Sequence, residues 1–110
     1  IFFQCGVVVP SRHIIEERFT EASFAFLPIE ETNQVSNIKR LPAGECVSVY
    51  HVGNYLSIGR SYQKILDHCK FHSIQIVSDS YEFCINDYIT TYDENEYITK
   101  IMFYIKTSED

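Results

Sequence analysis

One stretch of this sequence has the period of an α-helix, while most other apolar runs have the length and composition of β-strands. The helical stretch follows Asn54, a residue type that caps helix N-termini well. Its apolar residues recur at steps of three and four, which places them on one face of an amphipathic helix: Tyr55, Ile58, Tyr62, Ile65, Leu66 and Cys69. A chain with one such helix must pack it against strands.

The strand-like runs lie on both sides of this helix. Before it, Phe2 to Val9 and Phe19 to Leu27 are apolar and β-rich, and each is stopped by a proline. The polar segment between them, Ser11 to Arg18, is expected to be hairpin-like. The further strand candidates are Cys46 to Tyr50, Ile74 to Val77, Tyr81 to Ile85 and Tyr97 to Ile105. We therefore predict an α+β fold, a mostly antiparallel sheet with one packed amphipathic helix.

Two predicted hairpins share a layout, Phe3 to Leu27 and Tyr81 to Ile105. The second is preceded by a strand and a helix, whereas the first is not. One interpretation is a duplicated hairpin unit with a pseudo-two-fold axis, from which the first strand–helix unit is missing ahead of Ile1. The alternative is chance similarity between hairpins. Because the chain has 110 residues, we expect residues 1–110 to be a single, N-terminally truncated domain.

The formal net charge of −6 argues against a nucleic-acid partner. The nine Lys and Arg residues do not cluster, whereas phosphate backbones are bound mainly by such cations. An acidic domain instead favours cationic ligands. No apolar run approaches the roughly 18 residues that span a bilayer, and no signal peptide is visible. Neither a membrane partner nor export is therefore expected.

The residue types that most often bind metals or form disulfides show no recognisable pattern. The cysteines are widely spaced, and we interpret them as reduced thiols in a cytoplasmic protein. His68 and His72 stand four apart on the predicted helix, a spacing that can hold a metal, but no second pair of ligands matches it. Common enzyme signatures are also lacking. We expect no metal, no cofactor and no enzymatic activity.

Glu82 is the acidic residue with the clearest potential role, because it interrupts an apolar strand. Strand side chains alternate, so Glu82 and Cys84 share one face while Tyr81, Phe83 and Ile85 share the other. If the face of Glu82 meets solvent, the residue has no special meaning. If that face lines a cavity, the carboxylate needs a compensating partner.

A carboxylate beside aromatic rings can bind a cation. The rings attract positive charge through their π faces, and the carboxylate supplies the opposite charge. Pairing across the loop Asn86 to Glu96 is expected to put Glu82 near Thr99 and diagonal to Tyr97. The further aromatic candidates are Tyr50, Tyr55, Tyr62 and Phe83. Their alternative role is ordinary packing in the core or at an interface.

The second half of the chain resembles a known family. The run Leu41 to Tyr55, LPAGECVSVYHVGNY, is similar to the motif that opens the second half of GyrI-like domains. These are also called effector-binding domains, and the resemblance is to the type at the C-terminus of the multidrug regulator BmrR. The run Val77 to Glu82 and the later Glu96-Tyr97 are similar in sequence and spacing. The resemblance extends from about Ile38 to Lys106, and residues 1–37 match only in hairpin layout.

The resemblance implies a duplicated strand–helix–strand–strand fold with ligand in the cleft between the halves. In the multidrug sensors an acidic residue in an aromatic cleft neutralises a lipophilic cation. Glu82 falls at that position, and Tyr97 falls at an aromatic position of the same cleft. The tyrosine of the first half's inner strand is not matched, since Gln4 stands there beside Phe3. Pattern and resemblance together give the candidate ligand-binding residues Glu82, Tyr97, Tyr50, Tyr55, Phe83 and Phe3.

The expected function is binding of lipophilic or cationic small molecules as an effector-sensing domain, related to a bacterial transcription regulator. The helix–turn–helix of such regulators is absent from this sequence, so no nucleic-acid contact is expected from it. One alternative is a protein-interaction module, like the gyrase inhibitor that the family resembles. Another is a hydrolase in which Glu82 acts as a base toward water. An exposed edge strand would also favour a homodimer.

Overall fold

The computed structural model describes residues 6–26, 41, 43–86 and 93–107 of the chain. These residues form a six-stranded sheet with one main helix, which confirms the predicted α+β class. The strands are β1 (Gly6–Val9), β2 (Phe24–Phe26), β3 (Cys46–Val52), β4 (Ile74–Ile76), β5 (Ser80–Asn86) and β6 (Ile98–Thr107). The helices are α1 (Ser11–Ile15) and α2 (Gly59–Phe71), with 3-10 turns at Tyr55–Ser57 and Glu94–Glu96.

The sheet is antiparallel throughout, with strand order β2-β1-β5-β6-β3, and β4 pairs with the C-terminal end of β6. The neighbours β1 and β5 join the two halves of the chain, and their hairpin partners β2 and β6 lie outside them. However, β2 has three residues whereas β6 has ten. The duplication and its pseudo-two-fold axis therefore stay a prediction.

Helix α2 packs on one face of the sheet through the side chains that its period predicted. Asn54 caps the preceding 3-10 turn, where its side-chain Oδ1 accepts a hydrogen bond of 3.1 Å from the Ser57 N–H. The buried core of the described chain contains Val9, Ile14, Phe19, Ile58, Tyr62, Ile65, Ile101 and Phe103. Burying one such large side chain contributes about 1.5–3 kcal/mol. The contact between helix and sheet is therefore the main stabilising layer of the described residues.

None of the helices in the described residues is long and apolar enough to cross a bilayer.

The segment Ser11 to Arg18 is not hairpin-like, so that prediction is wrong. It contains helix α1, which starts directly after Pro10, whose carbonyl accepts hydrogen bonds from the N–H groups of His13 and Ile14. The first N–H groups of a helix need acceptors from outside the helix. Asp79 provides one, since its Oδ1 accepts from the Ser11 N–H at 2.8 Å. This partner is 68 residues away, so the local sequence did not reveal it.

The opposite face of the sheet carries a cluster of aromatic rings. Phe26 of β2 contacts Tyr81 and Phe83 of β5 edge to face, with ring centroids 6.5 and 5.3 Å apart. Tyr104 of β6 contacts Tyr81 in the same way at 5.9 Å. The Phe26 ring lies over Gly6, where a Cβ atom would come within 2.8 Å of the ring carbon Cε1. Glycine at position 6 therefore makes room for this ring.

Candidate functional site

Glu82 lies on the face of the sheet that α2 covers. In the strand register it stands between Val7 of β1 and Ile101 of β6. Its side chain is only 1% exposed, so it is buried as deeply as the neighbouring apolar core. An ionised carboxylate in such a place loses its hydration and needs another source of stabilisation.

Tyr62 of α2 provides part of that stabilisation. Its hydroxyl donates a hydrogen bond to Glu82 Oε2 and stands 2.8 Å from Ser80 Oγ. Since the phenol has one proton, the Ser80 hydroxyl is the donor in that second contact. The Tyr62 ring is stacked on Phe19, with centroids 4.7 Å apart and planes 9° apart. The hydroxyl that holds the carboxylate is therefore fixed by the core itself.

The second carboxylate oxygen, Oε1, has no hydrogen-bond partner in the described part of the chain. The hydroxyl of Tyr55 also faces the carboxyl group and favours its ionised form. This hydrogen-bonding interaction is weak, because Oε1 has no partner of normal hydrogen-bond geometry. The Tyr55 side chain is 37% exposed, so this residue connects the buried carboxyl group to the protein surface. No ion pair to Glu82 is formed by the described Lys, Arg and His residues.

Burial dominates the protonation equilibrium of this group. Loss of hydration raises the pKa of Glu82 from 4.5 to about 7, although hydrogen bonding from Tyr62 and Tyr55 acts in the opposite direction. Burial, and then the nearby carboxylate, raise the pKa of both phenols well above the usual value of 10. At neutral pH the carboxyl group is therefore divided between its two forms, while the phenols stay protonated and can donate hydrogen bonds.

The structure brings only some of the predicted site residues to Glu82. Tyr55 reaches it, but Tyr50 and Phe83 pair with Lys100 on the opposite face of the sheet, and Tyr50 is 58% exposed there. Phe3 lies outside the described residues. The ligand-binding roles of all these residues stay predictions, although the geometry places Tyr50 and Phe83 away from the carboxyl group.

The predicted register next to Glu82 is shifted by two residues. Glu82 stands opposite Ile101 and Thr99 stands opposite Cys84, so Thr99 is the diagonal neighbour of Glu82 on the same face and Tyr97 is not. A β-bulge between Cys84 and Asn86 changes the pairing near the loop, and a bulge of this kind has no clear sequence signature. Tyr97 is half-buried just before β6, and its carbonyl oxygen accepts a hydrogen bond of 2.8 Å from the Gly53 N–H.

A groove of about 270 Å³ lies elsewhere, between β3 and α2. Its lining does not include Glu82 or a tyrosine; it consists of Val47, Ser48, Val49, Lys64, Ile65 and His68. The rings of His68 and His72 stand 4.4 Å apart at the end of α2. No group of three or more potential metal ligands occurs among the residues that the structure describes. This groove is therefore separate from the Glu82 carboxyl group.

The described residues form a small antiparallel α+β domain with a buried carboxyl group near two tyrosine hydroxyls. The comparison with protein families places it among small-molecule-binding domains: the model described as GyrI-like small molecule binding domain matches residues 3–106. The chain therefore belongs to the GyrI-like family, as the motifs between Leu41 and Tyr97 predicted. The match also includes the first half of the chain, where only the hairpin layout suggested it. A search among curated proteins found no match.

Proposed function

We propose that this domain binds lipophilic organic cations, with the Glu82 carboxylate as their counter-charge, and that it serves as the effector-sensing part of a transcription regulator. The observation that carries this proposal is the burial of Glu82 with one oxygen unpartnered among the described residues. A guest that supplies positive charge at this oxygen replaces the hydration that the carboxylate has lost. A neutral guest gives no such compensation.

The surroundings of the carboxyl group favour an organic cation over a small inorganic ion. Tyr55 presents a partly exposed ring, and the hydroxyls of Tyr55 and Tyr62 stay neutral, which suits a diffuse charge on an apolar molecule. A hard ion such as Mg²⁺ or Ca²⁺ would require several more oxygen ligands. We expect the guest to be flat or compact, apolar over most of its surface, and permanently charged.

Titration of the domain with tetraphenylphosphonium at about pH 8 tests the proposal, because Glu82 is then mostly ionised. We expect Glu82→Gln to weaken binding by roughly 10- to 100-fold, since it removes the charge and keeps the shape. Glu45→Gln is the matched control, because it removes the same charge from an exposed position. It should leave the affinity unchanged.

Salt separates the buried site from general attraction to an acidic protein. At about 1 M salt, interactions between exposed charges are screened within about 3 Å, whereas a buried pair is screened much less. We expect wild-type affinity to change little with salt. The proposal is wrong if folded Glu82→Gln binds the cation as well as the wild type, or if both lose binding equally in high salt.

A protein-interaction module is the second candidate function, and the face opposite Glu82 favours it. Tyr50 and Val52 stand two residues apart on that face of β3, and each is more than half exposed. Exposed apolar side chains grouped on one surface are typical of contacts with other proteins. Tyr50→Ser should then abolish recovery of a protein partner and leave cation binding intact, whereas Glu82→Gln should do the reverse.

A further inference from the structure

His51 is a buried histidine with hydrogen-bond partners on both ring nitrogens. It lies on β3 opposite Thr99, on the helix-covered face, and is 4% exposed. Its Nδ1 stands 2.7 Å from Ser61 Oγ. Its Nε2 stands 3.0 Å from the Asn54 carbonyl oxygen and 3.1 Å from Ser57 Oγ. One side chain thus connects the sheet to the 3-10 turn and to the first turn of α2.

These partners assign the protons on the ring. A carbonyl oxygen can only accept, so Nε2 carries a hydrogen and donates it to Asn54. In the neutral imidazole Nδ1 is then the acceptor, and the Ser61 hydroxyl donates to it. The two hydrogen bonds fix the ring in one tautomer and one orientation.

The hydrogen-bond network of His51 involves chain neighbours of both tyrosines that face Glu82. Tyr55 lies between Asn54 and Ser57, whose hydroxyl donates to the Asn54 carbonyl oxygen at 2.9 Å. Tyr62 directly follows Ser61 in the chain. His51 therefore contacts residues on both sides of Tyr55 in the chain, and it contacts the residue next to Tyr62.

Gly53 allows the backbone to turn between β3 and the 3-10 turn that Asn54 caps. Its φ of +134° lies in the region that favours glycine. A Cβ atom there would make ordinary contacts, 3.4 Å from Ser57 Oγ and 3.7 Å from His51 Nε2, so the backbone angle and not a lack of space favours glycine.

We propose that His51 is a positioning residue, which holds the hydroxyls of Tyr55 and Tyr62 against the Glu82 carboxyl group without contacting the ligand. This proposal rests on the proposed cation site, because His51 would affect ligand binding only through the carboxyl group of Glu82. The role can nevertheless be measured in the ligand-free protein, because its direct effect is on the carboxyl group of Glu82.

The test is a pH titration of the Glu82 side-chain carboxyl carbon by NMR in the ligand-free domain. Hydrogen bonds from the phenols favour the carboxylate, so their loss raises the midpoint. We expect Tyr55→Phe and His51→Asn each to raise it by roughly half to one pH unit. His51→Gln should raise it less, because the longer amide can still donate to the Asn54 carbonyl oxygen.

Two further variants separate positioning from general destabilisation. Cys69→Ala leaves a cavity at a buried position that makes no contact in the network, so it should lower the unfolding temperature without moving the midpoint. Ser61→Ala removes one hydrogen bond with little loss of packing, and it keeps the test available if the His51 variants do not fold. We expect it to raise the midpoint.

The proposal is overturned if folded His51→Asn or Ser61→Ala titrates at the wild-type midpoint. It is also overturned if Cys69→Ala raises the midpoint as much as they do. A wild-type domain that binds no tetraphenylphosphonium, but whose midpoint moves with His51, would contradict the cation-binding function and support the positioning role. The two proposals therefore fail separately.

Discussion

Glu82 is placed where its ionised form is unfavourable in the ligand-free protein. Its folded-state pKa of about 7 lies above the ordinary value of 4.5. Between these two pH values the folded chain binds more protons than the unfolded chain. Stability that is fully present below about pH 4.5 is therefore lost as the pH rises through about 7.

The resulting prediction concerns the difference between wild type and Glu82→Gln. From about pH 5 to about pH 8 the wild type should lose more stability than the variant, by on the order of 3 kcal/mol, because the amide does not ionise. Urea unfolding at both pH values measures this. Glu45→Gln should follow the wild type. Equal slopes for wild type and Glu82→Gln would show that the buried carboxyl group titrates normally.

Alternation along β5 was enough to separate Glu82 and Cys84 from Tyr81 and Phe83, and the register confirms that separation. The face that becomes buried was not predictable in this way, because the answer depends on where α2 packs. Tyr62 was one aromatic candidate among several on the predicted helix. Its contact with Glu82 joins residues that are 20 positions apart, and helix periodicity alone does not specify such a pair.

At the scale of elements, the helix and most strands were predictable because their signals are local. The apolar period and the Asn54 cap lie within the segment that they define. Helix α1 and the β5–β6 bulge were missed, since one is capped by distant Asp79 and the other has no clear sequence signature. Local sequence signals were therefore enough to predict the main helix and most strands. The cap of α1 and the strand register instead involve residues that are far apart in the sequence.

The pairing of β1 with β5 depends on the small size of Gly6. A Cβ atom at this position would overlap the Glu82 carbonyl oxygen and the Phe26 ring. We expect Gly6→Ala to destabilise the domain by about 1–3 kcal/mol, as overpacking does in other cores. Gly44→Ala is the control, because its Cβ would stand 3.6 Å from the Tyr104 ring, an ordinary contact. Thermal unfolding of both variants measures the effect, and equal stabilities would contradict this account of Gly6.

In the folded domain, a cation and a proton compete for the Glu82 carboxyl group. We expect the affinity for tetraphenylphosphonium to rise about tenfold per pH unit below pH 7 and to level off above it, because only the carboxylate offers a counter-charge. Binding well below pH 7 should release about one proton per cation. Calorimetry in buffers with different ionisation heats measures this release, and Glu82→Gln should show none.

Tyr62 is both a member of the hydrophobic core and the donor to Glu82. Tyr62 thus contributes both to the stability of the core and to the candidate binding site, so a substitution that favours one can impair the other. Replacing the Glu82 and Tyr62 pair by well-packed apolar residues is expected to yield a more heat-resistant domain. Such a domain would no longer respond to charged guests. Evolution toward greater rigidity at this position would therefore remove the ability to sense them.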